Sequence, residues 1–352
     1  TCALPIYSTS GSSFIHLNCA SAFSFKYGTA QPRNLIARAA EFGAPALAIT
    51  DRDSLAGVIR FVQAAKDFGV APIVGVNLQL DKSPQYRVTL LAQSDGGWRS
   101  LCRLMSALRL DRNGPTLDLE KIKNLAEYTN NLILLHGPES EIANLISRHR
   151  PDQALDLFNK YRPYFADSII ECTSHLVAGD QPRSTVHAAR MLGFARDHDL
   201  PALITNAIRM LDAIDGPIAD ILDSARKLVP LHPRHVERKN NEAYLKNSAS
   251  MHSLADEIAR AAGERNGRAL LRTTQRIAER CILSPNEFGL GGIELPEPEV
   301  VGVSNYKEMR SLLRTRCESG LNWRYSSSSD LAKARARLDD ELATVAMLGY
   351  ES

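Results

Sequence analysis

An α/β barrel of about seven strands, followed by a helical segment, is the architecture this sequence predicts, and three observations carry it. Short apolar runs alternate with amphipathic helical patterns through the first two thirds of the 352 residues. Several runs, such as ALAIT at 46–50 and LILL at 132–135, are apolar at nearly every position, as strands covered on both faces are. No G-x-G-x-x-G opens a helix, which favours a closed barrel of seven or eight strands over a dinucleotide-binding sheet.

The candidate strands are 14–17, 46–50, 72–76, 87–92, 131–135, 168–172 and 202–206. Helical patterns with readable ends lie between them. Residues 33–42 place Leu35, Ile36 and Ala39 on one stripe, and Gly43 stands where a left-handed C-terminal cap belongs. Residues 54–68 repeat the design, with Leu55, Val58, Ile59 and Val62 inward and Gly69 beyond the end. Further helical patterns follow at 97–108, 139–147, 154–161 and 183–198, and this alternation predicts parallel strands. After about residue 245 the pattern changes. Helices are expected at 250–262 and 268–283, then an extended connector at 284–304 carrying Pro285, Pro296 and Pro298. Two more helices, 306–321 and 330–348, are joined by a Ser-rich turn at 326–329. The expected organisation is an extension over 1–13, a barrel over 14–245 and a helical module over 246–352.

The bulk numbers exclude more than they assign. Lys and Arg total 42 against 40 Asp and Glu, a formal charge of +2, which gives no strong electrostatic case for gripping nucleic acid. Six cysteines are scattered without a C-x-x-C pair, so no zinc or redox motif is visible, and a reduced, cytoplasmic setting is expected. No apolar run approaches the ~18 residues of a membrane span. The opening residues lack the charged and apolar regions of a signal peptide, and the absence of an initiator Met suggests a processed or truncated chain.

In a barrel of this class, chemistry sits just past the C-terminal ends of the strands. Those positions hold Asn18, Cys19 and Ala20; Asp51, Arg52 and Asp53; Asn77; His136, Gly137 and Pro138; Thr173, Ser174 and His175; and Ala207, Ile208 and Arg209. Metal-assisted hydrolysis needs three or more lone-pair donors and an open position for water. The supply here is thin. Asp51 is the one well-placed carboxylate, and Asp53 is expected to cap the next helix. His136 and His175 read either as ligands or as hydrogen-bonded structural residues, the commoner use of a lone imidazole. His16 could orient a neighbour or pack in the core. Cys19 near His16 lacks the orienting partner that Cys–His chemistry requires. The basic run at 232–240 reads as a phosphate contact or as a solvated face.

The segment FIHLNCASAFSFKYGTAQPRNLIARAAEFGAPALAITDRDSLAGVIRFVQAAKDFGVAPIVGVNL resembles the opening of bacterial DNA polymerase III alpha subunits and, more nearly, the error-prone alpha-like polymerase. YRVTLLAQSDGGWRSLCRLMS, LITNAIRMLDAIDGPIADILDSARKL, TTQRIAERC and RARLDDELATVAMLGY resemble later blocks of the same family, in the same order. The resemblance implies a PHP-type seven-stranded β/α barrel and the start of a polymerase module that stops before the palm. It also implies that the metal positions of an active PHP site have been replaced. The H-x-H pair corresponds to Asn18 and Ala20, the following Asp to Tyr27, and the His of T-D-H to Arg52. The acidic residue after strand three corresponds to Asn77, the next His to Arg87, the Cys after strand five to Pro138, and the closing D-x-H to Ala207 and Arg209. His16 and Asp51 are retained.

On this reading the barrel is a degenerate, structural part of an error-prone DNA polymerase, with no metal or catalytic residue in this chain. Mg2+ is expected in the palm of the full-length protein. The implied partners are that palm, DNA, a sliding clamp and mutagenesis accessory proteins, with no membrane. Two alternatives stay open: a metal-dependent PHP phosphoesterase or 3′–5′ exonuclease, and a free-standing binding module. The last helix carries Ala334, Leu338, Leu342, Val345 and Gly349 on one face, a stripe expected to lack its partner and leave residues from about 305 onward loosely held.

Overall fold

The computed structural model of the chain describes residues 13–80, 85–93, 96–110, 115–236, 238–284, 288, 295–325 and 330–351. The expected extension over 1–13, save Ser13, lies outside the described residues, as do much of the connector and the Ser-rich turn. The chain forms two compact units, one ending at Phe288 and the other beginning at Gly289.

The first unit is built on a seven-stranded sheet: β1 (Ala46–Arg52), β2 (Ala71–Leu80), β3 (Arg87–Ala92), β4 (Thr116–Leu117), β5 (Leu132–His136), β6 (Asp167–Cys172) and β7 (Ala202–Ile204). Their order is β1-β2-β3-β5-β6-β7, with β4 pairing the far end of β2. The apolar runs are buried as expected: every residue of β3 and β5 is inside, and the first six of β1.

Two features depart from the sequence reading. Residues 14–17 are not a ladder strand. They lead into an extended segment that bridges the two edges of the sheet. On one side Ala48 N and Thr50 N donate to His16 O and Cys19 O; on the other, Ala20 N donates to Ile208 O and Ile208 N to Asn18 O, all at 2.8–2.9 Å. The sheet is also not wholly parallel, because β3 runs antiparallel to both β2 and β5. The link from Leu80 to Arg87 is too short for the crossover of a dozen or more residues that a parallel return needs.

The helices follow their stripes. α1 (Pro32–Glu41) buries Leu35, Ile36 and Ala39, and Gly43 adopts the left-handed conformation with φ +66°. α2 (Val58–Phe68) begins later than expected, after Gly57. Ile59 therefore faces outward, and Phe61 takes the inward place beside Val62 and Ala65. α3 (Gly97–Arg109), α6 (Glu141–Ser147), α7 (Pro151–Tyr161) and α8 (Thr185–Asp197) match their patterns within a few residues. The sequence reading did not foresee α4 (Leu119–Asn124), α5 (Ala126–Thr129) or α9 (Gly216–Lys227). α4 starts where Asp118 accepts from Lys121 N at 2.7 Å, a side-chain cap.

α10 (Ser248–Ala261) and α11 (Arg268–Cys281) belong to the first unit, so that unit runs well past the boundary at 245 expected from sequence. The reason is burial. Met251, Leu254, Ala255 and Ile258 of α10 pack with Ala188, Met191 and Leu192 of α8. Ile277, Ala278 and Cys281 of α11 join Ala46, Ile73, Leu91, Ile133 and Ile169 in the sheet's apolar interior.

The second unit holds α12 (Tyr306–Tyr325) and α13 (Leu331–Leu348), preceded by a 3-10 turn at Pro298–Val301. Met309 and Leu321 of α12 are buried, whereas α13 fully buries nothing among its described residues. Ala334, Leu338, Leu342 and Val345 are half-buried, and Arg314 of α12 bonds Asp339 of α13 at 2.8 Å.

Candidate functional site

The ends of the strands converge on one polar cleft. Asn18, Ala20, Tyr27, Arg52, Asn77, Arg87, Pro138 and Ala207 line its inner chamber, together with Thr50, Thr89, Gly137, Glu139, Glu171, Arg183 and Ile208. The chamber opens toward a second one of about 280 Å³, which shares Tyr27, Arg52, Glu139 and Arg183 and adds Arg209, Asp223, Arg226, Arg238 and Lys239. Nine of the eleven positions singled out from sequence therefore meet here.

The other two lie elsewhere. His16 is buried against Phe14, ring centroids 4.8 Å apart, and its Nε2 lies 2.8 Å from Lys246 O. Burial lowers its pKa to about 4. Asp51 turns away from the cleft and ties down the loop that follows the bridging segment. It accepts from Ser21 N, Ser21 Oγ and Ser24 Oγ at 2.6–2.8 Å, and burial raises its pKa against the opposing effect of these bonds.

The floor of the inner chamber is a hydrogen-bonded chain. Thr50 Oγ1 donates to Asn18 Oδ1 at 3.0 Å, and Asn18 Nδ2 donates to Glu171 Oε1 at 2.8 Å. Asn77 Nδ2 donates to Thr89 Oγ1 at 3.0 Å, and Arg87 Nε donates to Asn77 Oδ1. Glu171 also accepts from Thr205 Oγ1, and burial raises its pKa. Gly137 leaves the space this carboxylate fills, since a Cβ there would stand 2.2 Å from Glu171 Oε2. Asp53 does not cap α2. With φ +53° it accepts from Gln79 N and pairs with Arg87 at 2.8 Å.

The rim is ionic. Glu139, one residue past Pro138, takes two guanidiniums: Arg52 at 2.9 Å and Arg183 at 2.6 Å. Burial alone would raise the Glu139 pKa, but Arg52 and Arg183 outweigh it and hold it near 2. The Arg52 guanidinium lies 3.4 Å from the centre of the Tyr27 ring and that of Arg209 4.3 Å. Burial opposes ionisation of the Tyr27 phenol, yet Arg52, Arg183 and Arg209 together bring its pKa below the ordinary value. Arg209 forms a two-pronged pair with Asp223 at 3.0 and 3.1 Å, donates to Tyr27 O, and shares Asp223 with Arg226. Arg183 and Ala207 adopt left-handed backbone, φ +69° and +41°, an arrangement that costs roughly 1–3 kcal/mol per non-glycine residue and persists only where surroundings enforce it.

The remaining sequence candidates are structural. His136 Nε2 is 2.9 Å from Ser168 Oγ beneath Phe158, and His175 Nε2 is 2.7 Å from Asn206 O; burial lowers both pKa values to about 3. Burial, with Asp51 nearby, pushes the Cys19 thiol far up, away from the thiolate a nucleophile needs. From the basic run at 232–240, Arg238 and Lys239 reach the outer chamber. Glu139, Glu171 and Arg183 were not foreseen. Glu139 could have been, by reading one residue further past β5. Arg183 lies on the long loop before α8, where no periodicity points to it.

A divalent ion needs several lone-pair donors, and this cleft presents mainly N–H donors. Among the described residues no three or more His, Cys, Asp and Glu side chains gather to hold a metal. The cleft can bind and orient by charge-assisted hydrogen bonds.

Residues 16–175 match the PHP domain family. Over 96% of its length the chain is 30% identical to the error-prone DNA polymerase of Symbiobacterium thermophilum, of which it covers 31%. Over the same share it is 27% identical to the DNA polymerase III subunit alpha of Buchnera aphidicola subsp. Schizaphis graminum, of which it covers 29%. The chain thus spans about 30% of the length of these curated relatives. Among solved structures, an amidohydrolase from Chromobacterium violaceum matches 56% of this chain and 87% of its own, at 15% identity and a TM-score of 0.37.

Proposed function

This chain carries a PHP domain and is a relative of bacterial error-prone DNA polymerases and DNA polymerase III alpha subunits, and from that premise we propose that its barrel is a structural module, not a nuclease. The ionic cluster at the cleft rim supports this reading. In a metal-dependent PHP site, ions cross-link the strand ends. Here Arg52 at the end of β1, Glu139 after β5, Arg183 before α8, and Arg209 with Asp223 of α9 join the same ends through guanidinium–carboxylate pairs. Two fixed cations also oppose a third. A unit charge ~4 Å from another at an effective dielectric of 20 costs roughly 4 kcal/mol, and a divalent ion feels double that from each guanidinium.

Elemental analysis of the purified 352-residue chain after dialysis tests the reading. No stoichiometric zinc or manganese is expected, and no metal-dependent release of nucleotides from a DNA 3′ end. One tightly held ion per chain, lost in Glu139→Gln, would restore the phosphoesterase reading. In the full-length protein we assign DNA synthesis, with its Mg2+, to the palm beyond this segment. DNA, a sliding clamp and mutagenesis accessory proteins are the partners of that larger assembly, in replication or translesion repair in the cytoplasm. No helix among the described residues is long and apolar enough to cross a membrane.

A further inference from the structure

A second concavity lies at the opposite end of the first unit from the cleft. α11 packs on Ala46, Ile73 and Ile133, at the starts of β1, β2 and β5, and beside it runs a groove of about 560 Å³. Its apolar lining is Phe14 and Ile15, both buried, and Leu271, half-buried. Arg268, Arg272 and Arg276 of α11 line it too, and all three are exposed. They stand four residues apart, so the helix sets them in one row at steps of about 6 Å. None of the three forms an ion pair among those described, whereas Arg280, next along the same helix, pairs with Asp167 at 2.8 Å. The one carboxylate in the lining, Glu279, accepts from Gln275 Nε2 at 2.8 Å.

This row is unfavourable for α11 by itself. Like charges at i and i+4 repel, and Arg268, the first residue of the helix, sets a cation at the positive end of the macrodipole. A negative partner turns both costs into attraction. We propose that the groove receives an acidic amphipathic helix of a protein partner, with its carboxylates on the arginine row and its apolar side chains against Leu271 and the 14–15 segment. The proposal goes beyond the reading of the cleft and does not depend on it. A helix with Asp or Glu at every fourth position repeats at the same ~6 Å, so each carboxylate meets one guanidinium and can accept from it twice. Apolar residues beside the carboxylates serve as anchors in the groove. A nucleic acid fits it less well. Phe14 is buried with its ring edge-on to His16 and offers no face on which a base can stack. Glu279, three residues past Arg276, ends the row with a charge that repels a continuing phosphate backbone.

Fluorescence anisotropy of labelled probes with the whole chain, at fixed pH and ionic strength, tests the proposal. The probes are a helical peptide with Glu at every fourth position and Leu beside each Glu, the same peptide with Lys for Glu, the same peptide with Ala for Leu, and a mixed-sequence single-stranded oligonucleotide. The Glu–Leu peptide is expected to bind saturably, more tightly than the other three, and less tightly as salt is raised. Arg272→Gln, an exposed change between two good helix formers, weakens it about two- to fivefold. The combined change Arg268→Glu, Arg272→Glu and Arg276→Glu abolishes its binding and gains binding of the Lys peptide. No saturable binding of the Glu–Leu peptide overturns the proposal, as does binding that both variants leave unchanged. Equal binding of the Ala peptide removes the groove from the docking surface and overturns it too. Tighter binding of the oligonucleotide than of the Glu–Leu peptide, lost in the triple variant, assigns the row to nucleic acid and overturns the protein partner.

Discussion

The first unit and the α12–α13 pair use the same materials with different results. Both contain amphipathic helices and Arg–Asp pairs. In the first unit, Asp223 is 2% exposed and held by Arg209, itself 10% exposed. In the second, Arg314 and Asp339 are 48% and 55% exposed. α8 and α10 bury whole stripes against one another, while α13 only half-buries Leu338, Leu342 and Val345. The sequence stripes look alike because periodicity records which face is apolar, not whether anything large enough lies opposite it.

The widest contrast should appear in hydrogen exchange. Amides of β1 should exchange only by global opening, at a cost of about 5–15 kcal/mol, and those of 338–345 by fraying at a small fraction of that. Equal protection in the two segments would make 330–348 an integrated part of the fold and remove the contrast. Next in size, Asp223→Ala leaves the Arg209 guanidinium buried and unpaired and should cost roughly 3–5 kcal/mol in denaturant melts. A loss under 1 kcal/mol would mean that solvent reaches that pair.

Core truncation sharpens the comparison further. Leu47→Ala, at a fully buried position, should destabilise the first unit by about 2–5 kcal/mol, and Leu338→Ala should cost under ~1 kcal/mol. Similar losses at both sites would contradict the half-buried state of Leu338.

Acid should separate the units too. His16, His136 and His175 have folded pKa values of about 4, 3 and 3, below the ordinary 6.5, because burial disfavours the imidazolium. Their contribution is therefore complete above pH 6.5 and declines as pH falls toward those values, since only the unfolded chain takes up the protons. Glu139, near 2, adds a second decline below about 4.5. Asp51 and Glu171, raised by burial, act in the opposite sense and offset part of it. The first unit should melt at a lower temperature at pH 5 than at pH 7. Residues 289–352 contain no His and should show little change over that window. An unchanged melt of the first unit would mean the three imidazoles are hydrated. The smallest effect expected is Asp339→Ala, at most ~0.5 kcal/mol, because an exposed pair gains little over water.

The strand cores and most helices were legible because burial on both faces leaves uninterrupted apolar runs such as ALAIT and LILL. The reversal of β3 was also legible, in a link too short for a crossover, and was missed by counting strands without their connections. The cleft positions could be named one at a time by resemblance. What replaced the ligands could not, because Glu139 and Arg183 act through a shared ion pair between segments 44 residues apart. Nothing local marks such a pair. α9 was missed for a related reason: Ile218 and Ile221 are each about half exposed, so its stripe does not separate inside from outside cleanly.

The extended segment at 14–20 sets an order of events during synthesis. Its partners lie late in the chain: Asn18 O waits for Ile208 N, His16 for Lys246 O, and Phe14 N for Ser248 Oγ, 234 residues away. At about 5–20 residues per second, the ribosome takes roughly 10–50 s to deliver them. For that interval β1 and β2 can pair and α1 and α2 can dock, but the seam between the first and last strands stays open. The nascent chain therefore carries an unpaired strand edge for tens of seconds, and this is the stage at which a chaperone would find it.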